Sequence, residues 1–208
     1  MSAAARSLVL ATRNPHKIRE VARMLLPWQI SVEVLPADVK LPPEEGDTFE
    51  ANALPKARAA ARALGRPAIA DDSGIEAEAL GGAPGVRSAR YAGERASDQE
   101  NLDKLVQEAP AGSGLRYVCV VAYVDPGADG QPVERVFLGE CRGRLAPAPR
   151  GEGGFGYDPA FVPDEEPSGR TMAEMSDQEK DAISHRGRAV RGFAEWFAED
   201  ANRSRQPR

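Results

Sequence analysis

The chain has 208 residues, 41% of them hydrophobic and 28% charged, with a net charge of −5. That composition fits one soluble globular domain able to bury a substantial core. It argues against a general nucleic-acid binder, and no apolar run approaches the roughly 20 residues of a membrane span.

Met1 to Arg6 is small and polar, without the apolar stretch of a secretory signal, so a cytoplasmic protein is expected. Ser7 to Ala11 reads as a buried strand. It runs into Thr12-Arg13-Asn14-Pro15-His16-Lys17, where Asn14 suits an N-cap and Pro15 the first helical position. Ile18, Val21, Ala22, Leu25 and Leu26 keep the helical period until Pro27. A strand followed by a helix N-terminus, with Thr12, Asn14 and Lys17 at the junction, either cradles a phosphate or is an ordinary capped helix. It lacks the glycines of a Walker A loop.

Ile30 to Leu35 alternates as a second strand, and a Pro- and Glu-rich loop follows. In that loop, Glu44 and Glu45 are either solvated charges or carboxylates lent to a site. Thr48 opens an Ala-rich helix closed by Gly65. The apolar run Pro67 to Ala70 then leads into Asp71-Asp72-Ser73-Gly74, expected where the strand meets a turn. Adjacent carboxylates at a strand end are costly unless cations or donors compensate them, and Mg²⁺ is one such cation.

Ser97 to Glu100 is a capping box for a further helix reaching about Ala109. Leu115 to Val124 and Val133 to Cys141 read as a hairpin across the turn-rich stretch from Asp125 to Pro132. Cys119 and Cys141 lack metal-ligand spacing and are expected as buried thiols. Gly151 to Gly156 matches G-x-G-x-x-G, but Pro159 and Pro163 argue against the helix that a dinucleotide fold needs there. A loop whose backbone approaches a ligand fits better, with Phe155 or Tyr157 free to stack on a flat ring. A purely structural glycine loop is the alternative.

A second capping box, Ser176 to Glu179, starts the last helical region. Lys180, His185 and Arg186 are either a solvated face or donors to a phosphate and a carbonyl, with Gly187 able to bend the helix between them. Val190, Phe193, Ala194 and Phe197 form a core stripe, and Asn202 to Arg208 a basic tail. Early alternation of strands and helices, then a hairpin, indicates an α/β fold with a mixed sheet.

Taken in order, Thr12 to Lys17, Glu44 to Lys56, Ala70 to Gly93, Gly153 to Pro159 and Glu179 to Arg186 resemble the inosine/xanthosine triphosphate pyrophosphatase family, the Ham1-like enzymes. Arg13 and Ala51 depart from that family's common residues. The resemblance implies an elongated mixed sheet flanked by helices, with two lobes and a central cleft. One domain would cover residues 1–201, leaving 202–208 as the tail. It implies Mg²⁺-dependent hydrolysis of ITP, dITP and XTP to the monophosphate and pyrophosphate, by a cytoplasmic homodimer needing neither nucleic acid nor membrane. By family match Asp72 is the proton acceptor, and Glu44 with Asp72 forms the metal site. The implied substrate-binding set is Thr12, Arg13, Asn14, Pro15, His16, Lys17, Lys56, Ser73, Phe155, Gly156, Tyr157, Asp158, Lys180, His185 and Arg186.

Overall fold

The computed structural model describes residues 6–127 and 130–203. Residues 1–5, 128–129 and 204–208 lie outside it, and with them most of the expected polar start and basic tail and two residues of the turn before Pro132.

The apolar run at the start forms β1 (Arg6–Leu10), with Leu8, Val9 and Leu10 buried. A strand buried on both faces suits parallel pairing. β1 indeed pairs in parallel with β2 (Ile30–Val34), Leu8 opposite Val32, and with β3 (Ala68–Ala77), Leu10 opposite Ile69. Two longer strands follow, β4 (Gly114–Asp125) and β5 (Val133–Leu145), and β5 pairs antiparallel with the short β6 (Phe161–Pro163). The result is a mixed six-stranded sheet in the order β2-β1-β3-β4-β5-β6, with flanking helices.

Helix α1 (Pro15–Leu25) begins where Asn14 Oδ1 accepts the N–H groups of His16 and Lys17, and buries Val21 and Leu25. Helix α2 (Phe49–Leu64) is capped by Thr48 and stopped by Gly65 in the left-handed region. Its buried stripe of Ala53, Ala57, Ala60 and Ala61 also carries Asn52 and Lys56, so two polar groups share the apolar face. α3 (Asp98–Glu108) and α4 (Asp177–Ile183) both start with the expected capping boxes, and α5 (His185–Arg203) runs to the end of the described chain.

The chain forms two compact units. The first takes the described residues up to Asp72, Val120–Leu138, and the chain from Arg188 on. Its core includes an aromatic cluster in which Tyr123 and Phe137 of the strands meet Phe193 and Trp196 of α5. The second takes Ser73–Cys119 and Gly139–Gly187. Ile75, Leu102, Leu105, Leu115, Tyr117, Cys141, Phe161 and Met172 lie at its centre. Both cysteines are buried, and neither is in a disulfide.

Three local expectations are corrected. Asp71 to Gly74 are not a turn: β3 continues through them to Ala77, because the two acids find cations without leaving the sheet. Gly187 does not bend the last helical region. The break falls at Ser184, whose extended backbone separates α4 from α5, and Gly187 lies inside α5. A Cβ there would come within 1.9 Å of the Asp181 carbonyl oxygen, so close approach demands the glycine. β5 also runs four residues past Cys141, to Leu145, where β6 gives it a second partner.

Candidate active site

In the first unit, the functional side chains converge on the middle of β3. Lys17, from the first turn of α1, places Nζ 2.9 Å from Asp71 Oδ2. Lys56, on the buried face of α2, donates to Glu44 Oε1 at 2.5 Å and to the Asp71 carbonyl at 2.7 Å, and lies 3.9 Å from Asp72 Oδ1. Burial alone would lower the Lys56 pKa, but the carboxylates of Asp71, Asp72 and Glu44 outweigh it and raise it. Glu44 is pulled below the usual range: burial opposes ionisation, and Lys56 more than offsets this.

Asp72 behaves differently. It is 5% exposed, and burial pushes its pKa up to about 6 despite the nearby Lys56 and Lys17. The neighbouring Asn52 amide favours its ionised form, whereas the buried Oδ2 has no hydrogen-bond partner. A carboxylate oxygen left so inside a fold is costly unless a ligand or cation meets it. Asn52 is held in turn by the Gly46 backbone, which donates to Oδ1 at 2.8 Å and accepts from Nδ2 at 3.3 Å.

The segment Thr12 to Lys17 is more self-contained than a free phosphate cradle. Thr12 Oγ1 accepts from the Asn14 N–H, Asn14 caps the next two N–H groups, and Pro15 has none to give. Lys17 is therefore the charged group this segment brings to β3. Arg13 turns away to the carbonyls of Pro36, Ala37 and Val39, organising the loop after β2. His16 pairs with Arg19, and Glu45 is exposed.

The second unit gathers Ser73, Tyr117, Phe155, Asp158, Lys180, His185 and Arg186. Asp158, almost fully buried, accepts from Lys180 Nζ at 2.6 Å, from the Phe155 N–H at 2.9 Å and from the Tyr117 hydroxyl at 3.1 Å. This pins the glycine loop. Gly154 sits at φ +68°, where a Cβ would press within 2.1 Å of Asp158 Oδ2. The Phe155 ring is half-buried, with Lys180 Nζ 5.2 Å and the Arg186 guanidinium 5.5 Å from its centroid. Arg186 also donates to Ser73 Oγ at 2.7 Å, and His185 stacks on Tyr117. Tyr157 is not a free stacking face: its ring is buried and its hydroxyl donates to the Ser88 carbonyl. The Gly156 N–H donates to Asp98.

Each unit thus assembles a polar cluster inside an apolar frame. Sequence reasoning passed over Asn52 and Tyr117. Asn52 was visible as the residue one helical turn before Lys56 on the same face. Tyr117 gave no signal that sets it apart from Tyr123, the other phenol of the same strand.

A buried carboxyl titrating near neutrality and flanked by lysines is equipment for acting on a phosphorylated substrate, and a half-buried aromatic face beside cationic donors is equipment for holding a flat ring. Comparison with known proteins gives the family. The Ham1 family model matches residues 8–196. The dITP/XTP pyrophosphatase of Cutibacterium acnes is 46% identical over 194 residues, covering 89% of this chain and 93% of that protein. That of Geobacillus kaustophilus is 44% identical over 200 residues, covering 93% and 95%. The solved structure of a HAM1 protein from Coxiella burnetii superposes with a TM-score of 0.80 at 39% identity, covering 93% of this chain and 99% of that one. The chain belongs to the Ham1 family, and it is an enzyme.

Proposed function

We propose that the chain hydrolyses the deaminated purine nucleoside triphosphates dITP, ITP and XTP to the monophosphate and pyrophosphate, removing noncanonical nucleotides from the pool. The observation that carries this reading is Asp72: a buried carboxyl with one oxygen lacking a partner, raised to about 6, beside lysines suited to polyphosphate. The names of the relatives support the substrate class.

In the reaction, water attacks the α-phosphorus, the bond from that phosphorus to the bridging oxygen breaks, and pyrophosphate leaves. Asp72 takes the water's proton; a base with this pKa is ionised at neutral pH yet still basic enough to accept it. Lys17 and Lys56 offset the charge of the phosphates while holding Asp71 and Glu44 in place. Hard carboxylate oxygens, one of them unpartnered, fit a divalent cation, so Asp72 and Glu44 would hold Mg²⁺. When bound, Mg²⁺ neutralises phosphate charge and acidifies water.

Base selection falls to the second unit. Phe155 packs on the purine, and donors of His185 and Arg186 meet the 6-oxo group, which adenine replaces with an amino group. A site built to donate there rejects adenine strongly. Guanine shares the oxo group, so its 2-amino group must be what excludes it. Thr12, Asn14, Lys180 and Ser73 complete the substrate contacts in this reading; Arg13, Pro15, His16, Gly156, Tyr157 and Asp158 shape the loops that carry them. The resemblance further suggests a cytoplasmic homodimer, and the family match over 8–196 supports one functional domain.

The test is pyrophosphate release from dITP, ITP, XTP, dATP and dGTP, with Mg²⁺ and with EDTA. Selective turnover of the first three, dependent on Mg²⁺ and lost in Asp72→Asn, is expected. Binding of ITP without pyrophosphate release would refute the reading.

A further inference from the structure

Beneath the groups assigned to the base lies a residue with no role so far. Tyr117 stands on β4 inside the second unit, 6% exposed, and meets one of those groups, His185, together with Asp158, the carboxylate that holds the Phe155 loop. Its ring lies flat against the His185 imidazole, centroids 4.4 Å apart and planes 5° from parallel. Its hydroxyl donates to Asp158 Oδ1 at 3.1 Å. The other oxygen of that carboxylate accepts from both Lys180 and the Phe155 N–H. Phe161 closes on the phenol from a third direction, with ring centroids 4.6 Å apart.

We propose that Tyr117 is a positioning residue for base selection, fixing the plane of the His185 ring through its face and the seat of Phe155 through its hydroxyl and Asp158. The inference rests on the functional reading above. An apolar strand position needs no hydroxyl for packing, and a buried hydroxyl normally has to be given a partner. Here the partner is the carboxylate that clamps the loop, so the phenol ties the two base-reading elements to one rigid strand. Burial, with the Asp158 carboxylate next in weight, holds the phenol well above its usual range, so it remains a donor. Donors separate a 6-oxo from a 6-amino purine by pairing with one and mismatching the other, and they do so fully only when they are held in place.

The experiment compares the wild type with Tyr117→Phe and Tyr117→Leu, measuring kcat and KM on dITP and dATP beside thermal melts. Tyr117→Phe keeps the stacked ring and removes only the donor. We expect its dITP KM to rise about tenfold, kcat to stay within about twofold, and the dITP-to-dATP ratio of kcat/KM to fall about tenfold. Tyr117→Leu also removes the stack and should lose more of the ratio, so Phe partly rescues Leu. If Leu fails to fold, the Phe variant decides alone. A lower melting temperature with an unchanged ratio would make Tyr117 a core residue only and overturn the proposal. The wild-type control separates the failures: absent dITP turnover removes the functional reading and this inference with it, whereas selective wild-type turnover with unchanged variant ratios refutes Tyr117 alone.

Discussion

Replacing Asp72 by Asn should stabilise the metal-free protein while abolishing its activity. The carboxyl titrates at about 6 when folded, against 3.8 for an ordinary aspartate. Since each pH step between those values is worth about 1.4 kcal/mol, ionised Asp72 costs the fold about 3 kcal/mol at neutral pH. The sign follows from proton binding. Between pH 3.8 and about 6 the native state holds more protons than the unfolded state, so stability falls as pH rises through that window. Above it the penalty is fully present, and below it the penalty is gone. Asn carries no charge at any pH, so the variant's advantage should be about 3 kcal/mol at pH 7.5 and about 1 kcal/mol at pH 4.5. For a chain of this size the larger figure corresponds to roughly 6–12 °C in melting temperature. Melts of both proteins in EDTA at the two pH values measure it. A variant no more stable than wild type at pH 7.5, or an advantage equal at both pH values, would refute the reasoning.

Lys56→Met should act in the opposite direction, because it strips the cation from Glu44 and from the Asp71-Asp72 pair. We expect a loss of about 3–5 kcal/mol in urea unfolding at pH 7.5, together with loss of turnover; full stability would show that the lysine is dispensable to the fold. Phe155→Ala removes the ring proposed to pack on the base, and should raise KM for every purine triphosphate about tenfold or more with little change in kcat, read by steady-state pyrophosphate release. Gly154→Ala forces a Cβ against Asp158 Oδ2 at a left-handed backbone position. It should cost about 1–3 kcal/mol in denaturant unfolding and raise KM for dITP; neutrality on both would mean that the loop is not held as described.

The regular elements were legible because their signals are local. Asn14-Pro15, Thr48 with Gly65, and the boxes at Ser97 and Ser176 depend on residues a few positions apart, and each begins or ends a helix where the sequence places it. The misread positions depend on partners far along the chain. Asp71-Asp72 looks like turn chemistry until Lys17 and Lys56 are known to reach it. The role of Gly187 is set by the Asp181 carbonyl across the break at Ser184, which no periodicity reveals. The site shows the same division. Residue types at Lys17, Lys56 and Asp72 suggested phosphate chemistry, but Arg13 and Tyr157 differ from such residues only in which carbonyl they find.

The continuation of β3 also changes the electrostatics of the acid pair. In a turn, adjacent carboxylates can crowd one side and repel; along a strand, successive side chains leave on opposite faces. The partners follow that separation. Asp71 meets Lys17 of α1, while Asp72 lies beside Asn52 and Lys56 of α2. Asp71 thereby has its carboxylate within 2.9 Å of a lysine, whereas the nearest lysine to Asp72 stands off at 3.9 Å. That distance is what divides the roles. A close ion pair would hold Asp72 ionised and weakly basic, whereas a distant cation in a desolvated setting leaves a carboxyl near 6 with an oxygen to spare. Moving a lysine closer to Asp72 would therefore strengthen the fold and weaken the base.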